Sequence, residues 1–438
     1  MSAAGEAGAA PEPGLFIIWS DARDQERRIL AAIHERFNLR RVLRVTWSPG
    51  LVDENFARFY RGQVAPPFSS VFSDQKGRGP FTLALVEDPS PRYEKRATTR
   101  GTAVVNANML DAKQQFRAWT GGGMRVHGTD TAAEAVRDTL LLLGDTPAAC
   151  LADAPAAWDD TFEHIERDLS GALGWASLRE LFLVLTHAVT YVVLRNFENL
   201  PDDFQLGPHA DVDLLTDDYG ELIRLTNARP VLGGVPRWGG RFHVRINGSN
   251  VIFDLRFVGD GYYDPRWARR ILDDRRLIRS AVLVPSEPDY FESLAYHAVV
   301  HKREVADDYR DRLAVMAAAL GHDDWDRTAL DDDRWLVARI QSIVGERGYT
   351  FTRPRDVTVF FNYGNVGADH ALIRRKAAGL RRELQRHVMR LSAPVGRATR
   401  TVRQRLITRA PWLRHLRGSV MRAVRGGTRT IAGWRWVS

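Results

Sequence analysis

At 438 residues, with 62 Lys and Arg against 54 Asp and Glu and a formal net charge of +8, the chain is too long for one ordinary core, and two or three domains are expected. A hydrophobic fraction of 44% and a charged fraction of 26% fit an ordinary soluble globular protein, and the single cysteine, Cys150, excludes an internal disulfide framework and suits a reducing compartment. The first residues lack the basic start and apolar run of a secretory signal. No apolar stretch reaches the roughly 18–20 residues of a bilayer span, the longest being Leu181 to Leu194, which reads as a buried helix leading into a strand. A cytoplasmic location is expected.

Residues 1–13 read as a disordered leader. Leu15 to Trp19 follows as an apolar strand, and Ile29, Leu30, Ile33 and Phe37 then recur at helical spacing. Val42 to Trp47 reads as a second strand, Glu54 to Tyr60 as a helix and Phe81 to Val86 as a third strand. A loop-rich stretch precedes a helix from Thr131 to Leu143. Strands and helices in this order predict an α+β sandwich of ferredoxin-like type.

Within 14–148, Leu15-Phe16-Ile17-Ile18, Arg78 to Val86 and Arg125-Val126-His127-Gly128-Thr129-Asp130 together resemble nucleoside diphosphate kinases. The resemblance implies that His127 stands where that family carries its phosphoacceptor histidine, and that Asp111-Ala112-Lys113 with Arg117 stands at its phosphate-binding segment. Trp19 and Met124 replace a lysine and an asparagine that contact phosphate in the family. Weak or absent phosphotransfer is therefore expected, and a retained fold used for binding or docking is the alternative.

The Ala/Asp/Pro-rich residues 149–164 read as a linker or the first turn of a new helix, and a second domain is expected over 165–345. Its elements are a helix from Trp175 to Thr190, a strand from Tyr191 to Arg195, a strand from Ala210 to Leu215 and a helix from Asp218 to Thr226, with Asp217 as N-cap. Asn247-Gly248-Ser249 predicts a hairpin between Phe242–Ile246 and Asn250–Val258. Helices follow from Pro265 to about Val344, among them Tyr290 to Val305 and Asp307 to Leu320.

The chemistry is carried by Asp211-Val212-Asp213. Alternating residues of a strand share a face, so both carboxylates point the same way. Asp254, inside the apolar run Val251 to Leu255, is costly to bury without a partner or metal, and it joins the pair if the two strands are neighbours. Three converging carboxylates form an oxygen site suited to Mg²⁺ or Mn²⁺. This pattern resembles the polymerase-beta-like nucleotidyltransferase superfamily, which implies metal-assisted transfer from a nucleotide donor to a hydroxyl acceptor, with Asp211, Asp213 and Asp254 as ligands and Asp254 also placed to orient or deprotonate the attacking hydroxyl. The family usually holds triphosphate on a Gly-Ser or Gly-Gly helix start. This chain offers Arg195, Asn196 and Gly207 in its stead.

Lys302 and Arg303 end the following helix, either reaching phosphate or forming a solvated basic end. His297 and His301 stand four apart on that helix, a spacing open to zinc, to packing or to substrate contact. Residues 346–373 read as a connector. From Arg374 to Ser438 there are 18 Lys and Arg against the single acid Glu383, a net +17 that leaves the rest of the chain at −9. Leu380, Leu384, Val388 and Leu391 make one apolar stripe of this tail, and Trp412, Trp434 and Trp436 add interfacial aromatics. An amphipathic helix on an anionic membrane, an RNA grip and a helical arm on the protein's own acidic body are the three readings of that pattern.

The best overall expectation is a nucleotidyltransferase-fold enzyme, peripherally membrane-associated, acting on a surface-glycan or lipid-linked precursor, behind a degenerate kinase-like domain. An RNA-modifying nucleotidyltransferase and a non-catalytic nucleotide-binding scaffold are the alternatives.

Overall fold

The computed structural model describes residues 10–62, 66–98, 101–202 and 211–366. Gly207, the first nine residues of the leader and the tail from Arg374 lie outside them. In chain order the first lobe holds β1 (Glu12–Ile18), α1 (Glu26–Arg36), β2 (Asn38–Thr46), α2 (Val52–Phe59), α3 (Val71–Lys76), β3 (Phe81–Asp88), β4 (Tyr93–Thr98), β5 (Gly101–Asn106), α4 (Ala107–Trp119), β6 (Val126–Gly128), α5 (Ala132–Leu143), α6 (Pro147–Leu151) and β7 (Glu163–Glu166). Its five-stranded sheet runs β6-β1-β3-β2-β7, antiparallel except for the β2–β7 pair at its edge.

Strand alternation sorts the core of this lobe. Phe16 and Ile18 of β1 with Ala84 and Val86 of β3 face Ile29, Leu30 and Ile33 of α1 and Met109, Ala112 and Phe116 of α4. At the sheet's end, Trp19 and Trp47 pack with Phe56 of α2, ring centroids 4.9 and 5.0 Å away, and with Phe81. Each such side chain contributes about 1.5–3 kcal/mol on burial. Trp19 is therefore not the end of the first strand; it anchors this aromatic cluster. The stretch read as loop contains the β4–β5 hairpin and α4, the latter capped by Asn106, whose side chain accepts from the backbone N–H groups of Asn108 and Met109.

The second lobe follows as α7 (Leu178–Ala188), β8 (Tyr191–Val193), β9 (Asp211–Thr216), α8 (Tyr219–Thr226), β10 (Arg229–Pro230), β11 (Gly240–Ile246), β12 (Ser249–Phe257), α9 (Pro265–Asp273), β13 (Arg276–Ile278), β14 (Val282–Val284), α10 (Glu287–Val300), α11 (Asp307–Leu320), α12 (Arg327–Leu330) and α13 (Asp333–Glu346). Its five-stranded sheet runs β10-β11-β12-β9-β8 and mixes directions: β9 and β12 are parallel, the other pairs antiparallel. The β11–β12 hairpin turns through Asn247 and Gly248, both at positive φ (46° and 76°), as its Asn-Gly sequence requires. Asp218, not Asp217, caps α8 by accepting from the Glu221 N–H. α10 starts earlier than expected, at Glu287, because Ser286 caps it and Pro288 sits in its first turn, and it stops at Val300.

The chain is thus a mixed α+β protein, and no helix among the described residues is long and apolar enough to cross a membrane. Both lobes belong to one compact unit ending at Asn362. Arg58 of α2 joins them: its guanidinium donates to the carbonyl oxygens of Ser170 (2.7 Å), Leu225 (3.1 Å) and Arg224 (3.3 Å). The last two are carbonyls of the C-terminal turn of α8, where a cation is also favoured by the dipole. Arg58→Met leaves these buried acceptors without their charged donor and is expected to lower unfolding free energy by about 3–5 kcal/mol, read as a lower denaturant midpoint. A wild-type midpoint would remove Arg58 from the joint.

Candidate active site

β9 and β12 lie side by side in parallel register, with Asp254 opposite Asp213 and Ile252 opposite Asp211. Strand alternation then puts Asp211, Asp213, Asp254 and Arg256 on one face of the sheet, while Val212, Leu214, Phe253 and Leu255 fill the other side. Asp213 and Asp254 are buried, whereas the Asp211 side chain is 30% exposed at the open end.

Each carboxylate has an arginine. Arg195, just past β8, reaches Asp213 Oδ1 through Nη2 at 2.5 Å. Arg256 sets Nη2 at 2.7 and 2.9 Å from the two oxygens of Asp254 and Nη1 at 2.9 Å from Asp356 Oδ2. Arg241 stands 3.8 Å from Asp211. Burial pushes the Asp213 carboxyl up to about 7; Arg195 works against this, and the charges of Asp254 and Asp211 add to it. Asp254 Oδ1, although close to Arg256, is a buried oxygen that accepts no hydrogen bond of acceptable angle. A buried acceptor with spare lone pairs, beside a second carboxylate whose negative charge is disfavoured, fits a hard divalent cation.

Of the expected phosphate contacts, Arg195 is engaged by Asp213. Asn196, in the left-handed region at φ 58°, accepts from Arg312 Nη1 at 3.1 Å. Lys302 is exposed, its Nζ 5.9 Å from the Tyr309 ring, with no acid paired to it among the described residues. His297 Nδ1 meets the Tyr262 hydroxyl at 2.6 Å, and His301 places its two ring nitrogens 3.1 and 3.3 Å from the carbonyls of Tyr262 and Phe360. His297 Nδ1 and both nitrogens of His301 are engaged in these contacts, and no further ligand joins the pair among the described residues.

In the first lobe, His127 of β6 is buried with Nε2 2.8 Å from Asp138 Oδ2. The carboxylate accepts, so Nε2 carries a proton. Asp138 also takes Arg137 at 2.5 Å, and Glu134 Oε2 accepts from the Asp130 N–H at 2.7 Å. His127, Glu134 and Asp138 bring ligand atoms within 4.8 Å of one another, the one such set among the described residues; its acids are already compensated, so it reads as a hydrogen-bonded His–Asp pair. Arg117 turns beside it, Nε donating to the Val126 carbonyl at 2.8 Å. Lys113 is held by Asp130 and the Gly128 carbonyl, and Asp111 by Arg96, so these two serve the fold.

Sequence reasoning missed Lys76. This lysine is 1% exposed, its Nζ lies 4.8 Å from the Tyr60 ring centroid and 5.4 Å from that of Phe72, and no acid pairs with it among the described residues. Tyr60 in turn lies edge-on to His127, centroids 5.8 Å apart. Burial, then the nearby Arg117, push the Lys76 ammonium down to about 8. Nothing in Ser73-Asp74-Gln75-Lys76 marks it; only the packing of α3 against α2 and the segment Ser20–Gln25 brings it there.

No protein-family model matches this chain, and no curated protein matches it.

Proposed function

We propose that the second lobe is a divalent-metal-dependent transferase of the polymerase-beta-like nucleotidyltransferase kind, passing a nucleotidyl or related phosphoryl group from a nucleotide donor to a hydroxyl acceptor. The observation that carries it is the parallel register setting Asp254 opposite Asp213 with Asp211 on the same face. Asp211, Asp213 and Asp254 would hold Mg²⁺ or Mn²⁺, which supplies charge stabilisation to the donor's phosphate oxygens. Asp254 would complete the metal site or orient and deprotonate the attacking hydroxyl, a role supported by its Oδ1 accepting no hydrogen bond. Lys302, exposed beside Tyr309, adds positive charge for an anionic donor. A surface-glycan or lipid-linked precursor as acceptor, and attachment to an anionic membrane or RNA, rest on the basic residues 374–438. The test is Mg²⁺-dependent consumption of each nucleoside triphosphate by the full chain, followed as pyrophosphate or phosphate release with hydroxyl acceptors present. No metal-dependent turnover with any donor would favour the scaffold reading.

A second reading concerns the first lobe. Four of its strands, taken in chain order as β1, β2, β3 and β6, lie in the order fourth, first, third, second and are all antiparallel, which supports the ferredoxin-like sandwich of nucleoside diphosphate kinases. Arg117 lies near enough to Lys76 to lower its pKa, and the Tyr60 ring contacts both the Lys76 ammonium and His127. An anion such as a phosphate group relieves the repulsion of the two cations. Binding of pyrophosphate, followed through the fluorescence of Trp19, whose Nε1 donates to the Tyr60 hydroxyl, is expected to weaken about tenfold or more in Lys76→Met. The folded lysine loses its proton near pH 8, below its unfolded value, so binding should also fall as pH rises through 8 in the wild type alone. Equal binding by the variant would remove Lys76 from this role. With Trp19 and Met124 in place, phosphotransfer through His127 is expected to stay weak.

A further inference from the structure

We infer that Asp356 is a positioning residue for the cation site of the second lobe: it takes one of the two terminal nitrogens of Arg256 and offsets its charge, so that Asp254, which meets only Nη2, keeps lone pairs for a divalent ion. The inference rests on the transferase reading above and concerns how that site tolerates an arginine in its midst.

Arg256 is the difficulty. Its side chain is 3% exposed, it shares the face of the three aspartates, and it touches Asp254. Buried this close, a guanidinium repels a divalent cation and competes for the same carboxylate. Asp356 takes Nη1 at 2.9 Å, and Nε has no partner. A bidentate Arg–carboxylate fork uses two nitrogens. Here the two terminal nitrogens go to two different acids, so Asp254 receives only Nη2.

Asp356 is also held in place. Its Oδ1 accepts from Thr358 N (2.9 Å) and Thr358 Oγ1 (2.8 Å). The segment carrying it is pinned on both sides: the Thr350 backbone and hydroxyl both donate to Asp264 Oδ2 at 2.9 Å, Arg355 N donates to the Asp260 carbonyl at 2.8 Å, and Asn362 N donates to the Val300 carbonyl at 2.8 Å. Gly261, at φ 85°, permits this approach, because a Cβ there would lie 2.3 Å from the Arg353 carbonyl oxygen. Residues 350–362, expected as a mere connector, thus bring a fourth carboxylate to the site, at one remove from the ion.

The experiment measures Mn²⁺ binding to the full-length chain by loss of the free-ion paramagnetic resonance signal, with melting temperature followed in parallel. The specific site is the binding lost in Asp211→Asn. Asp356→Asn keeps the Oδ1 contacts to Thr358 and removes the charge, so the fold should persist while the Mn²⁺ dissociation constant rises on the order of tenfold. The double variant Asp356→Asn with Arg256→Gln removes both charges and should return the constant to near wild type, a rescue that a merely structural role would not give. Wild-type affinity in Asp356→Asn, or no recovery in the double variant, overturns the inference and leaves the transferase reading standing. A wild-type chain that binds no Mn²⁺ at this site overturns that reading and the inference with it.

Discussion

Asp211→Asn and Asp254→Asn are each expected to reduce Mg²⁺-dependent transfer about a thousandfold or more. A ligand carboxylate contributes to several kcal/mol of charge stabilisation at the reacting phosphate, and each 1.36 kcal/mol is a factor of ten in rate. Asp211 gives the cleaner measurement. Its side chain is 30% exposed and its one ion pair among the described residues, to Arg241, is 3.8 Å long, so the amide should leave the melting temperature near wild type. Asp213→Asn would be ambiguous. It strands Arg195, buried and 2.5 Å away, and breaking a buried pair from one side costs about 3–5 kcal/mol. Loss of activity there would mix chemistry with unfolding. Asp254→Asn sits between the two, since Arg256 keeps Asp356 as its second acid. Transfer at the wild-type rate in both Asp211→Asn and Asp254→Asn would move the active site elsewhere.

What the sequence discloses is local. Apolar spacing places α1, β3, β9 and β12 within a few residues, and the Asn-Gly turn fixes the β11–β12 hairpin, because side-chain periodicity and turn chemistry are properties of adjacent residues. Alternation also predicts that Asp211 and Asp213 share a face. That Asp254 lies directly opposite Asp213 depends on parallel pairing across a crossover, which no short-range pattern encodes. The β4–β5 hairpin escapes notice for a related reason: Tyr93-Glu94-Lys95-Arg96 is too polar to look like a strand, and only pairing with Gly101–Asn106 makes it one. β7, Glu163–Glu166, is missed because a mostly exposed edge strand shows no apolar alternation. The polar partners are the least legible of all. Arg195, Arg256 and Asp356 are separated by 61 and 100 residues in a chain where arginine is common, and Lys76 reaches the Tyr60 ring only through the packing of α3. Burial, not residue type, gives these groups their importance.

Burial also sets the second large effect, on the acid stability of the second lobe. His297 and His301 lie fully inside it, and desolvation holds both ring pKa values down, His301 to about 3 and His297 well below the ordinary histidine range. For His301, burial outweighs the two carbonyls that favour its charged form. The unfolded chain protonates each ring near 6.5, whereas the folded one refuses the proton, so the unfolded state binds more protons below that pH and stability falls as pH falls. Each ring that stays neutral in the fold contributes a slope approaching about 1.4 kcal/mol per pH unit below 6.5. Two carboxyls pull the other way. Asp213, raised to about 7, and Asp260, raised to about 6 chiefly by burial, are protonated in the fold while still ionised in the unfolded chain, so they add stability as pH drops towards 4. The net curve therefore hides the histidines, and the measurement has to be a difference. Denaturant unfolding of the wild type and of His297→Gln with His301→Gln, each at pH 7, 6, 5 and 4.5, shares the aspartate contribution. The variant should start less stable at pH 7, where it has lost packing, and should decline less steeply on acidification. Parallel curves would mean that the rings take up protons in the folded state, and that the Tyr262 and Phe360 contacts hold them charged.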